Sequence, residues 1–133
     1  MPVLIVLFLL AGMVAAFLLH LGLGWQWTVL GGLIAGLSSS RWGALVGGFA
    51  VTLEWAALVL FNFAVAPAES ARFVDIGSRL LGGMAPAMLV AATVALGGIV
   101  GLMGGAIGSR VRAIYEQRQT KQNYGRIGDH ARD

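Results

Sequence analysis

Between Gly43 and Ala66 the chain reads GALVGGFAVTLEWAALVLFNFAVA, an apolar stretch with one ionisable side chain, Glu54, at its middle. A membrane-crossing helix needs roughly 20 predominantly apolar residues, so this segment is long enough to span a bilayer. An acid at that depth costs about 3 kcal/mol on insertion scales. Glu54 is therefore expected to face protein or water and not lipid. With the first apolar segment taken to end at Leu19, no Lys, Arg or His falls inside any apolar segment to neutralise it.

The rest of the chain is of the same character. Of its 133 residues 58% are hydrophobic and only 11% charged, with a mean hydropathy of +0.82. A soluble domain carries about 25% charged residues, so the composition is that of a membrane protein. The length suits one domain. The absence of cysteine excludes disulfides, thiolate metal sites and cysteine nucleophiles, and leaves the redox compartment open.

The net charge of +3 does not point to nucleic acid, because six of the nine basic residues follow the last apolar segment. Arg110, Arg112, Arg118 and Lys121 stand there beside the membrane exit, followed by Arg126 and Arg132. Such a cluster reports topology and attraction to anionic lipid headgroups. The first residues lack the basic leader of a secretory signal, so this stretch reads as a retained helix.

Four apolar segments are visible, at residues 3–19, 24–39, 43–66 and 84–108. They predict an all-α integral membrane bundle of four transmembrane helices, multi-pass in the cell membrane with both termini cytoplasmic. The transmembrane domain is placed at residues 1–118 and a disordered basic tail at 119–133. The second segment is the shortest, and a re-entrant hairpin is its competing reading. Trp25, Trp27 and Trp42 fall near segment ends, where indoles prefer the interface. In the outer link, Phe73, Ile76 and Leu80 share one face, while Arg72, Asp75 and Arg79 follow a similar spacing. That pattern predicts a short amphipathic surface helix, either a plain connector or a gating element.

Twenty glycines cost about 1 kcal/mol each in a soluble helix, but in lipid they let backbones approach. Gly32 and Gly36 form one small-residue pair, Gly43 and Gly47 another, and Gly97, Gly101, Gly105 and Gly108 a ridge. Gly43, Gly47, Ala50 and Glu54 share a helix face, which aims the carboxyl into the bundle. Thr93 is the expected hydrogen-bonding partner, with Asn62 a second polar group on the same side. Trp55 points about 100° away, toward lipid or a second subunit.

Three roles for Glu54 follow: a protonated polar contact between helices, a proton or cation site, or a docking contact to another subunit. No catalytic constellation accompanies it. Ser38, Ser39 and Ser40 lack a base and read as a helix-hairpin turn. The paired glycines lack the Lys-Ser/Thr of a phosphate loop. His20 and His130 lie at opposite ends of the chain, so no metal site is expected, and no cofactor motif is present.

The stretch SSSRWGALVGGFAVTLEWAALVLFNF, with GGIVGLMGGAIGSRVR after an amphipathic link, resembles small bacterial four-helix, glycine-rich membrane proteins of no assigned function. The resemblance covers residues 25–112, rests on glycine patterning and a basic turn, and carries no functional residue over. The chain departs from fluoride channels in lacking their TFSTF-type segment, and from small multidrug exporters in having no acid in its first helix. The function expected is that of a non-enzymatic structural or accessory subunit of a membrane assembly, as a homo-oligomer or with other membrane subunits. The alternative is a small proton- or cation-linked transporter or channel using Glu54.

Overall fold

The computed structural model describes the backbone of residues 2–130 and the side chains of residues 3–122. Five α-helices follow one another: α1 (Pro2–Leu23), α2 (Thr28–Gly36), α3 (Gly43–Val65), α4 (Pro67–Leu80) and α5 (Pro86–His130), with a 3-10 turn at Trp25–Trp27. No strand occurs among the described residues. The chain is all-helical, as expected.

Among the described residues three helices, α1, α3 and α5, are long and apolar enough to cross a membrane. The second apolar segment does not give a fourth of that length. Its helix α2 has only 9 residues, or about 13.5 Å of rise against a hydrocarbon core of about 30 Å. The segment loses its first part to the 3-10 turn and its last part to the turn at residues 37–42. In that second turn the Ser39 hydroxyl accepts from the backbone N–H groups of Arg41 and Trp42, at 3.3 and 3.2 Å. The serine run is thus the hairpin turn expected of it.

Close approaches between glycines set the register. Gly12 lies against Gly31 and Ala35, and Gly31 against Ala16, so α1 and α2 run antiparallel. Gly32 meets Gly101 and Gly36 meets Gly105, which makes α2 parallel to α5. Gly43 lies beside Ser109 and Gly48 beside Gly98, so α3 runs antiparallel to α5. The start of α1 and the far end of α5 therefore lie toward the same end of the bundle. Arg41 precedes Gly43 at that end, and Arg110 and Arg112 follow Ser109, so we call it the basic end.

The α1–α2 hairpin is displaced along the bundle. His20, near the end of α1, is level with Glu54, midway along α3. Beyond that level only α3 and α5 continue, with α4 packed on both and on no other element. The bundle is four helices thick in one half and a two-helix arm plus α4 in the other.

The interior is poor in large side chains. The fully buried ones of greatest volume are Glu54, Val51 and Thr28. Backbone fills the space where leucine would stand in a soluble core. A Cβ built on Gly47 would lie 2.6 Å from the Gly105 Cα and 2.6 Å from the Gly32 carbonyl oxygen. Gly47, Gly101 and Gly105 occupy the line where α2, α3 and α5 meet.

Helix α5 ends later than expected. Residues after Ala113 are rich in Glu, Gln, Arg and Lys, which favour helix, and the helix passes residue 118 to reach His130. The side chains beyond Gln122, those of Arg126 and His130 included, lie outside the described residues, as do residues 131–133 with Arg132.

Candidate functional site: an acid–imidazole pair within the bundle

Glu54 is held where the glycine face of α3 meets the end of α1. Its side chain is 0% exposed, and His20 Nδ1 stands 3.1 Å from its Oε1. This corrects the expectation that no basic side chain reaches the acid. Helix α1 runs past Leu19 to Leu23 and so includes His20 in the apolar helix. Nothing in the spacing along the chain links positions 20 and 54, since their meeting depends on how α1 is staggered against α3.

The pair is close but not aligned as a straight hydrogen bond, and the second oxygen, Oε2, has no partner among the described residues. His20 is the partly exposed member, with 27% of its side chain accessible.

Trp55 completes the cluster: its ring, expected to meet lipid or a second subunit and partly exposed, also packs against its own chain. Its ring meets the imidazole of His20 edge-on, with centroids 5.6 Å apart and planes inclined at 66°. The indole lies across Gly97 of α5, where any side chain would collide with it. The ring therefore packs within the protein, and its Nε1 is buried without a partner among the described residues. Gly97 serves as the seat of this ring, while Gly108 faces Leu33 of α2 and Leu37 just after it.

Thr93 does not hydrogen-bond Glu54. Its hydroxyl donates to the Leu89 carbonyl oxygen at 2.9 Å, one turn back in its own helix. Thr93 and Asn62 instead line a cavity of about 670 Å³ between α3, α4 and α5, together with Glu69, Ser70 and Phe73. Both residues thus lie away from the Glu54 carboxyl they were expected to accompany. Gly32, Gly36, Gly43, Gly47, Gly101 and Gly105 lie in helix contacts. At the basic end Arg110, Arg118 and Lys121 are exposed, and Arg112 Nε pairs with Glu116 Oε1 at 2.7 Å.

Two contacts missed by sequence reasoning shape the site's surroundings. The Thr28 hydroxyl donates to the Trp25 carbonyl oxygen at 2.7 Å and closes the turn from α1 into α2. Gly12 and Gly31 bring α1 and α2 together. Each glycine has an alanine four residues on, Ala16 and Ala35, but such a pattern does not name the helix it packs against. Among the described residues no group of three or more His, Asp or Glu forms a metal cluster. No family model, no curated protein and no solved structure matches the chain.

Proposed function

We propose that this chain is a non-enzymatic integral protein of the cell membrane that acts as a structural or accessory subunit, in a homo-oligomer or with other membrane subunits. The observation that carries this reading is the unequal bundle. Beyond the level of Glu54, the α3 and α5 arm has only α4 against it, and it presents Leu60, Phe61 and Val65 at 70%, 51% and 67% exposure. Asn62, exposed on the same arm, lines the cavity under α4 and leaves its amide open to a helix that packs there. Lipid covers apolar side chains as well as protein does, but an amide needs a partner, and polar side chains are common glue between helices in membranes.

In this reading α3 and α5 cross the bilayer, while α1, whose end lies level with Glu54 at the middle of α3, enters from the basic end, and the short α2 with its flanking turns returns the chain to it. The basic end faces the cytoplasm by the positive-inside rule, which puts both termini there. Helix α4, with Phe73, Ile76 and Leu80 exposed, lies along the outer surface. Arg110, Arg118 and Lys121 meet anionic headgroups. Purification in native lipid, followed by mass measurement of the intact assembly, tests the proposal. A homo-oligomer or a reproducible partner is expected; a strict monomer with nothing copurifying overturns it.

A second reading, a small proton- or cation-linked transporter, is favoured by the His20–Glu54 contact. Acid and imidazole side chains within membrane helices recur along proton pathways. A pH gradient should then drive a flux in liposomes that Glu54→Gln removes while the protein stays folded. If the substitution alters only thermal stability, the reading fails.

A further inference from the structure

We infer that His20 and Glu54 together form a binding site for a single proton, taken up through the imidazole and shared with the sealed carboxyl. The inference deepens the transport reading by naming the ligand, and rests on that reading for the role of Glu54 as an ion site.

The geometry sets the ligand. A metal cation of the calcium or magnesium kind takes six or more oxygens. Here one carboxyl and one imidazole converge, and no third acid or histidine joins them among the described residues. A proton needs only the two. The electrostatics set the number. With one proton the pair is neutral overall, whether written as imidazole with carboxylic acid or as imidazolium with carboxylate. With none or two it carries a net charge, which costs several kcal/mol where water is excluded.

Proton exchange between the two groups needs a small rotation of the imidazole or the carboxyl to align a contact already 3.1 Å long. Exchange with the surroundings runs through His20, because Glu54 is fully enclosed and His20 is 27% exposed. The unpartnered Oε2 of Glu54 is a further acceptor already inside the site.

No other charge competes. His20 is the one titratable side chain described on α1, and Glu54 the one on α3; α2 has none, and α5 has none before Arg110. Helix α4 carries Glu69, Arg72, Asp75 and Arg79, but it packs on α3 and α5 and not on α1. The titration therefore belongs to this pair as a unit.

Trp55 supplies the readout, since its ring lies 5.6 Å from that of His20 and a protonated imidazole quenches a neighbouring indole. The full chain is placed in lipid nanodiscs with Trp25, Trp27 and Trp42 changed to Phe, leaving Trp55 as the sole indole. Its emission is followed against pH. A transition with a Hill coefficient of about 1 is expected for one shared proton.

Glu54→Gln should displace that transition, because the imidazole loses the group with which it shares the proton. Glu54→Asp should leave it close to the parent value. Sodium, potassium or calcium at fixed pH should leave the emission unchanged. Absence of a transition, a transition unmoved by Glu54→Gln in folded protein, or displacement by a metal ion overturns the proposal. If the Trp replacements prevent folding, histidine-selective nitrogen NMR on the chain with all its tryptophans reads the same transition. Proton flux into liposomes is measured in parallel. Titration without flux removes the transport reading and upholds the site; flux without titration overturns the site.

Discussion

A glycine in this molecule is either a contact or a spare, and the backbone around it decides which. At Gly47 an added Cβ meets the Gly105 Cα and the carbonyl oxygens of Gly32 and Gly101 within 2.8 Å. Those are backbone atoms of two other helices and cannot rotate away. At Gly22 an added Cβ meets nothing within 4 Å. Gly47→Ala should therefore destabilise the bundle by about 1–3 kcal/mol through overpacking. Gly22→Ala should be neutral or stabilise by up to about 1 kcal/mol, since alanine is the better helix former. Reversible unfolding in bicelles distinguishes the two, and equal losses at both positions would contradict the packing described. Glycine spacing located Gly43 and Gly47 correctly, but it could not rank them against glycines such as Gly97, whose neighbour is a side chain from another helix.

Among the elements, the turns decide more than the helices. The link from α4 to α5 passes through Gly82 and Gly83 at φ values of 76° and 81°, a left-handed conformation that side chains disfavour. Neither glycine has steric neighbours, so replacement tests conformation alone. Gly82→Ala and Gly83→Ala should each cost about 1–2 kcal/mol, read by the same unfolding measurement; no loss at either would mean the turn adopts another path. Nearby, the Ser78 hydroxyl donates to the Met84 carbonyl oxygen and ties α4 to the following link. The amphipathic pattern of α4 was legible because it is local: Arg79 pairs with Asp75 one turn away, at 2.9 Å. The length of α2 was not. Its apolar run extends across residues that form turns, because Gly24 takes φ 101° and Thr28 caps the 3-10 turn.

For the molecule as a whole, the stagger of the α1–α2 hairpin against α3 and α5 is the governing arrangement. It halves the bundle's thickness above the level of Glu54 and brings His20 to the acid. It also places the α2–α3 link and the basic stretch of α5 at one end, with α4 at the other. Because the chain has no cysteine, single cysteines at Arg41, Arg118 and Arg72 can map this arrangement with a membrane-impermeant maleimide. Arg41→Cys and Arg118→Cys should label from the same side and Arg72→Cys from the opposite side. Labelling of Arg41 and Arg72 from one side would exclude the proposed topology.

Helix content, the membrane-crossing length of three helices, the basic end and the inward aim of Glu54 follow from composition and from periodicity within single segments. Those properties depend on transfer from water and on neighbours within one or two turns. The partner of Glu54, the seat of Trp55 and the true length of α2 depend on how helices slide past one another. That offset is fixed by close backbone contacts between residues far apart in the chain, such as Gly12 with Gly31 and Gly32 with Gly101, and no local pattern encodes it.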